Sequence, residues 1–332
     1  MACLRPISTK LQLVDLPNHR KQHIGAIPLI GGIAICLGVY LSVFLTLPLH
    51  NAITLMLACA GCMMIIGAID DAKDISPWLR LSIQAVLILV LCLGTNISLH
   101  QFGDVLGVGN LTLPFFDIVI AIIAVCAAIN AYNMMDGIDG LAGSMAGISL
   151  VGLAILFSDT MPMMAKLCLI ITIALIPYLL VNLNIPPFKR KIFLGDAGSM
   201  FLGFVIGYMV LFGSQHREFT PAFRPVTALW IIGLPLMDMV GVMVRRLRKG
   251  QSPLRPDRNH LHHILLHAGF TARESLLLII FANFCVVIFG VYSEKKQISE
   301  WMSMGLYLIL IIAYSISIAN AWKLGLWIKS KR

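Results

Sequence analysis

From end to end this chain repeats apolar stretches close to 20 residues long that carry almost no charge. About 20 apolar residues in a helix cross the hydrocarbon core of a bilayer. Ten such spans are predicted, at 28–47, 52–69, 79–98, 114–132, 140–157, 163–182, 199–213, 225–244, 274–293 and 301–321. The expected fold class is therefore all-α: a polytopic membrane bundle of about ten transmembrane helices, organised as one transmembrane domain over 1–332. The composition agrees, with 58% apolar residues, 12% charged residues and a mean hydropathy of +0.88, far from a soluble domain. The longest polar stretch, 245–273, reads as one basic, His-rich cytoplasmic loop.

Ten spans place both termini on one side, and the positive-inside rule says which. With the N-terminus cytoplasmic, 20 of the 25 Lys and Arg residues fall inside. Asp70, Asp71, Asp74, Asp136, Asp139, Asp196 and Asp257 then share the cytoplasmic face. Asp238 lies inside a span about two turns from that face, and Asp104, Asp117 and Asp159 lie outside. The net charge of +9 reads as a basic surface facing anionic lipid rather than nucleic acid. The first 27 residues lack the apolar core of a cleavable signal peptide. Cys59-x-x-Cys62 sits mid-span without a second ligand pair and reads as packing.

Short carboxylates repeated at span ends point to a site, because ionisable groups there are costly to place. Asp70 and Asp71, in GAIDDAKDIS, stand where the helix dipole is already negative, so a metal or cationic partner is expected to compensate; the alternative is a solvated turn. Arg80 opens the next span, either facing the same pocket or snorkelling to the surface. In NMMDGIDG, Gly137 and Gly140 alternate with Asp136 and Asp139, which lets a ligand approach the backbone; three-residue spacing brings both carboxylates to one side of a helical turn, the alternative being a glycine-rich interhelical turn with solvated acids. Asp196, in FLGDAGS, directly precedes a span whose N-terminal dipole favours phosphate. Phe193 reads as packing, and Lys189, Arg190 and Lys191 as a membrane anchor. His260, His262, His263 and His267, with Arg255 and Arg258, suit a pyrophosphate better than zinc, which lacks a Cys or carboxylate at the required spacing; the alternative is a purely surface-exposed histidine cluster. Asp238 either lines the site or caps a neighbouring helix.

Taken in order, VDLPNHRKQHIGAIPLIGG, GAIDDAKDIS, NAYNMMDGIDGLAG, FLGDAGS and RRLRKGQSPLRPDRNHLHH resemble the polyprenyl-phosphate N-acetylhexosamine 1-phosphate transferases from about Val14 onward. His-x-His-His, in place of three consecutive histidines, points to the envelope-glycan branch rather than to peptidoglycan. The resemblance implies a Mg²⁺-dependent transfer, with Mn²⁺ able to substitute, from UDP-N-acetylglucosamine to undecaprenyl phosphate at the cytoplasmic face of the bacterial inner membrane. It implies metal ligation by Asp139 and Asp196 and catalytic roles for Asp70 and Asp71, with Asp70 deprotonating or orienting the lipid phosphate. It also implies substrate contacts for Lys21, Arg80, Asn133, Asp136, Phe193, Arg258, His260, His262 and His263, with Phe193 stacking on uracil. The lipid bilayer is the expected partner, nucleic acid is not, and a homodimer is left open. Relatives of this kind carry a span ahead of VDLPNHRK that the polar residues before Asp15 do not supply.

Two other chemistries compete. Asp70-Asp71-x-x-Asp74 matches the DDxxD pattern of intramembrane prenyltransferases, which would need a second spaced aspartate-rich motif where this chain has DGIDG, GDAGS and HLHH. A secondary transporter would hold its acids near the bilayer midplane in broken helices.

Overall fold

The computed structural model describes residues 4–15, 25–48, 50–113, 115–216, 220–252 and 260–320. A short helix, α1 (Arg5–Lys10), leads into two paired antiparallel strands, β1 (Val14–Asp15) and β2 (Ile27–Pro28), with Val14 opposite Pro28. The bundle follows as α2 (Gly31–Thr46), α3 (Asn51–Lys73), α4 (Pro77–Thr95), α5 (Asp117–Met134), α6 (Leu141–Phe157), α7 (Pro162–Asn182) and α8 (Gly195–Gln215). It is completed by α9 (Pro225–Ile231), α10 (Gly233–Arg248), α11 (Leu261–His267), α12 (Ala272–Lys295) and α13 (Glu300–Ala319).

Each of the ten apolar stretches is helical, but the expected count of ten spans is not met. Among the described residues seven helices are long and apolar enough to cross a membrane, or eight if α9 and α10 count as one broken span. α2 and α6 have 16 and 17 residues, about 24–26 Å of rise against a core of roughly 30 Å. The Leu47-Pro48 step limits α2, and the glycine turn at Gly140, with φ +73°, sets the start of α6. The predicted straight span at 225–244 is instead bent by 80° between α9 and α10. Pro235 has no N–H to donate back to Ile231 across that break, and Gly233 sits against Val286 where a side chain would clash.

α8 is the central post, buried along its whole length and packed most extensively on α3 and α5. Without a hydrophobic driving force between helices in lipid, small residues decide how closely they approach. A Cβ on Gly32 of α2 would lie 2.1 Å from the Gly198 nitrogen, and one on Gly67 of α3 would lie 2.5 Å from the Asp196 carbonyl oxygen. The second contact lays the last turn of α3, with its two aspartates, onto the first turn of α8. Local signals fix the neighbouring helix starts: Ser76 accepts the Leu79 N–H ahead of Pro77, and Thr271 and Glu274 form a capping box on α12.

Candidate active site

Three elements meet at one end of the bundle: the end of α3, the α5–α6 turn and the start of α8. Asp71 accepts the N–H of Asp196 at 2.9 Å and that of Ala197 at 3.2 Å, so it caps α8 from another helix. Gly195, at φ +74°, makes this possible, since a Cβ there would stand 2.5 Å from the Asp71 carboxylate. Asp70 is buried; it accepts the Ile75 N–H and pairs with Arg80 Nη1 at 2.8 Å. Arg80 thus faces the site rather than the membrane surface. The Asp196 carboxylate accepts from Asn133 Nδ2 at 2.7 Å, and the same amide reaches Ser199 Oγ at 3.0 Å.

A cavity of about 430 Å³ opens here, lined by Asp15, Asp71, Asp136, Asp139, Asp196, Asn182, Lys191 and Phe193 among others. Asp136 and Asp139 stand in a turn rather than on a helix, yet both face this space. Burial holds Asp136 well above the usual carboxylate range, and the charges of Asp196, Asp71 and Asp139 push it the same way. Lys191 pairs with Asp139 and lies 5.6 Å from the Phe193 ring centroid. The expectation that Lys191 is only an anchor is therefore corrected. The short β2 explains why: its Pro28 carbonyl accepts the Phe193 N–H at 2.9 Å, turning the 191–194 segment inward.

On the other side of Gly137 lies a second cavity, about 700 Å³, of different character. Its walls are apolar, with Leu81, Ala85, Ile122, Ile123, Met239 and Met243, and its polar end gathers Arg80, Arg246, His260, His262 and His263. His262 is 1% exposed, and among the described residues neither ring nitrogen has a hydrogen-bond partner. Burial, then the neighbouring His263 and His260, push it down to about 3. A Cβ on Gly137 would fall 2.1 Å from His262 Nε2, so the glycine turn is shaped to seat this ring. His260 stacks parallel to His262 at 5.9 Å.

Of the residues singled out from the sequence, Asp71, Asp136, Asp139, Phe193 and Asp196 line the first cavity, and Arg80, Asn133, His260, His262 and His263 the second. Asp70 lines neither and acts on Arg80. Lys21 and Arg258 lie outside the described residues. The DDxxD pattern does not converge: Asp70 turns to Arg80, Asp71 to α8, and Asp74, the left-handed C-cap of α3, lines the second cavity. Asn182 was not foreseen. Its Nδ2 donates to the Ile192 carbonyl, while its buried Oδ1, at the edge of the acidic cavity, has no partner among the described residues. An amide closing an apolar span just ahead of the Lys189–Lys191 run was the available signal.

Residues 53–214 match the glycosyl transferase family 4 profile, the stretch that supplies Asp70 through Asp196. The similarity extends over nearly the whole chain. An undecaprenyl-phosphate alpha-N-acetylglucosaminyl 1-phosphate transferase of Pasteurella multocida is 46% identical, with 99% of this chain and 92% of that protein covered. The enzyme of the same name from Haemophilus influenzae is 42% identical (98% and 92% covered), and that of Escherichia coli O157:H7 is 41% identical (98% and 89% covered). The chain belongs to glycosyl transferase family 4.

In this family 4 chain the donor set suits a hard divalent cation. Five aspartates line one small cavity; burial first, and then the charges of Asp196, Asp71 and Asp139, push Asp136 up. Among the described residues no three His, Cys, Asp or Glu side chains close around a single point. Mg²⁺ does not ask for that: it takes one or two carboxylates and completes its shell with water and substrate phosphate.

Proposed function

We propose that this multi-pass membrane enzyme transfers N-acetylglucosamine 1-phosphate from UDP-N-acetylglucosamine to undecaprenyl phosphate, releasing UMP. The reaction belongs at the cytoplasmic face of the bacterial inner membrane and opens the synthesis of an envelope glycan such as O-antigen or enterobacterial common antigen. One observation carries the reading: an acidic, polar cavity and an apolar cavity with a cationic end meet at Gly137. A dissolved nucleotide sugar suits the first, and a lipid phosphate suits the second.

Phe193 and Asn182 line the acidic cavity, where the ring would stack on uracil and Asn182 Oδ1 would accept an N–H from the base. Asp139 and Asp196 would hold Mg²⁺ or Mn²⁺, which would neutralise charge on the transferring group. Asn133 orients the Asp196 carboxylate, and Asp71 fixes its backbone by capping α8. Lys191 is positioned to release Asp139 and turn to a phosphate oxygen. Across Gly137, Arg80 and the histidines draw the lipid phosphate to the mouth of the apolar cavity, while Asp70 holds the Arg80 guanidinium in place.

A lipid monophosphate is largely ionised at neutral pH, so attack on the sugar-linked phosphorus needs alignment and charge neutralisation more than a base. The Asp70–Arg80 pair therefore favours an orienting role for Asp70 over proton abstraction. Purified protein with undecaprenyl phosphate, Mg²⁺ and a panel of UDP-sugars tests the reading. UDP-N-acetylglucosamine should be the preferred donor, UMP the nucleotide product, and labelled UMP should exchange back into the donor. Release of UDP without UMP would overturn it.

A further inference from the structure

Asp238 is a buried acid inside the broken span, fully shielded from solvent, and the proposed transfer has no direct use for it. Three donors converge on it. His260 Nδ1 lies 2.6 Å from one carboxylate oxygen; the Leu261 N–H at 3.0 Å and the Tyr314 hydroxyl at 2.6 Å donate to the other. These contacts come from different elements: Asp238 from α10, His260 from the N-cap of α11 and Tyr314 from α13. A carboxylate with three donors is a fixed acceptor, and the ring nitrogen facing it must carry a proton to complete the bond. His260 also lines the second cavity.

The geometry points to Asp238 as the positioning residue of the site: it pins Nδ1 of His260 so that Nε2 is presented to the phosphate group lodged at the cationic end of the apolar cavity. Tyr314 and the Leu261 N–H hold the carboxylate itself. The inference rests on the proposed lodging of a lipid phosphate there. Packing alone does not account for the arrangement. An acid at this depth is costly, and an apolar side chain would fill the space. Beyond the sharp bend at α9–α10, α10 packs on α13 and its Asp238 meets the N-terminus of α11, so the second half of the broken span carries the acid to the ring. Partners that orient a metal-ligating imidazole are typically worth about 10- to 100-fold, which sets the scale for a ring held in the same way.

The test is a double-mutant cycle in the purified enzyme, with KM for each substrate measured beside kcat. His260→Ala should lower kcat. Asp238→Asn should lower it about 10- to 100-fold, with KM for UDP-N-acetylglucosamine unchanged, and Tyr314→Phe should have a smaller effect in the same direction. The decisive result is non-additivity: Asp238→Asn added to His260→Ala should cost nothing further, because its effect passes through the ring. Additive losses, or a His260→Ala enzyme as fast as wild type, would overturn the inference while wild-type release of UMP leaves the proposed reaction standing. If Asp238→Asn does not fold, the Tyr314→Phe and His260→Ala cycle decides the same question.

Discussion

The Asp71 carboxylate accepts the backbone N–H of Asp196 at 2.9 Å, so the last turn of one span caps the first turn of another. The two acids of the sequence motifs therefore do different work. Asp71 satisfies free N–H groups at the start of α8 and meets the positive end of its dipole. Asp196, held by that cap, keeps its own carboxylate turned to the cavity.

Asp71→Asn should consequently lower both activity and the melting temperature in detergent, because the amide offers one acceptor where two N–H groups need it. A lost helix cap costs about 1–2 kcal/mol. An unchanged melting temperature with lost activity would assign Asp71 to chemistry instead.

Asp196→Asn should behave in the opposite way. The amide oxygen can still accept from Asn133 Nδ2, so the fold should keep its melting temperature. Activity should fall by orders of magnitude, since the charge that offsets a divalent cation is gone. Near-normal turnover with an ordinary Mg²⁺ requirement would remove Asp196 from metal binding.

Lys191 pairs with Asp139, so in the proposed reaction it would compete with the cation for that carboxylate. Lys191→Met should lower the Mg²⁺ concentration needed for half-maximal activity while raising KM for UDP-N-acetylglucosamine. A metal titration at fixed donor reads the first effect and a donor titration at saturating metal reads the second. Failure of both to move would make the ion pair a surface ornament.

His262 is held down to about 3, against about 6.5 for a free imidazole, by burial first and then by its histidine neighbours. A folded-state value below the unfolded one means a stability contribution complete above pH 6.5 and lost progressively as pH falls toward 3. Melting temperatures from about pH 7 down to about pH 4.5 should drop more steeply for wild type than for His262→Asn. Parallel curves would show that His262 is not the group responsible.

Orientation is open to cysteine labelling on a cysteine-free background. Ser252, beyond the end of α10 on the site side, and Val108, 85% exposed between α4 and α5, should lie on opposite faces. An impermeant reagent applied to intact cells should modify Val108→Cys and spare Ser252→Cys. The reverse pattern would turn the site to the outside.

The class of fold and the acids of the site are legible in the order of residues alone. Apolar runs near 20 residues leave a membrane helix as their physical outcome, and each of the ten runs is helical. Carboxylates at the ends of such runs stand out because their cost in an apolar setting is visible without coordinates. How many of those helices are long enough to cross emerges only in three dimensions, because turn geometry at Pro48 and Gly140 and the break ahead of Pro235 depend on backbone angles and neighbours. The partners emerge there too: Asp70 with Arg80, Asp71 with α8, Lys191 with Asp139 and Asp238 with His260. Only the first of these is close in sequence, at ten residues apart; the others are separated by 22 to 125. Such pairings are set by how closely helices approach, and that distance is fixed by glycines such as Gly67 and Gly195 packing against residues far along the chain.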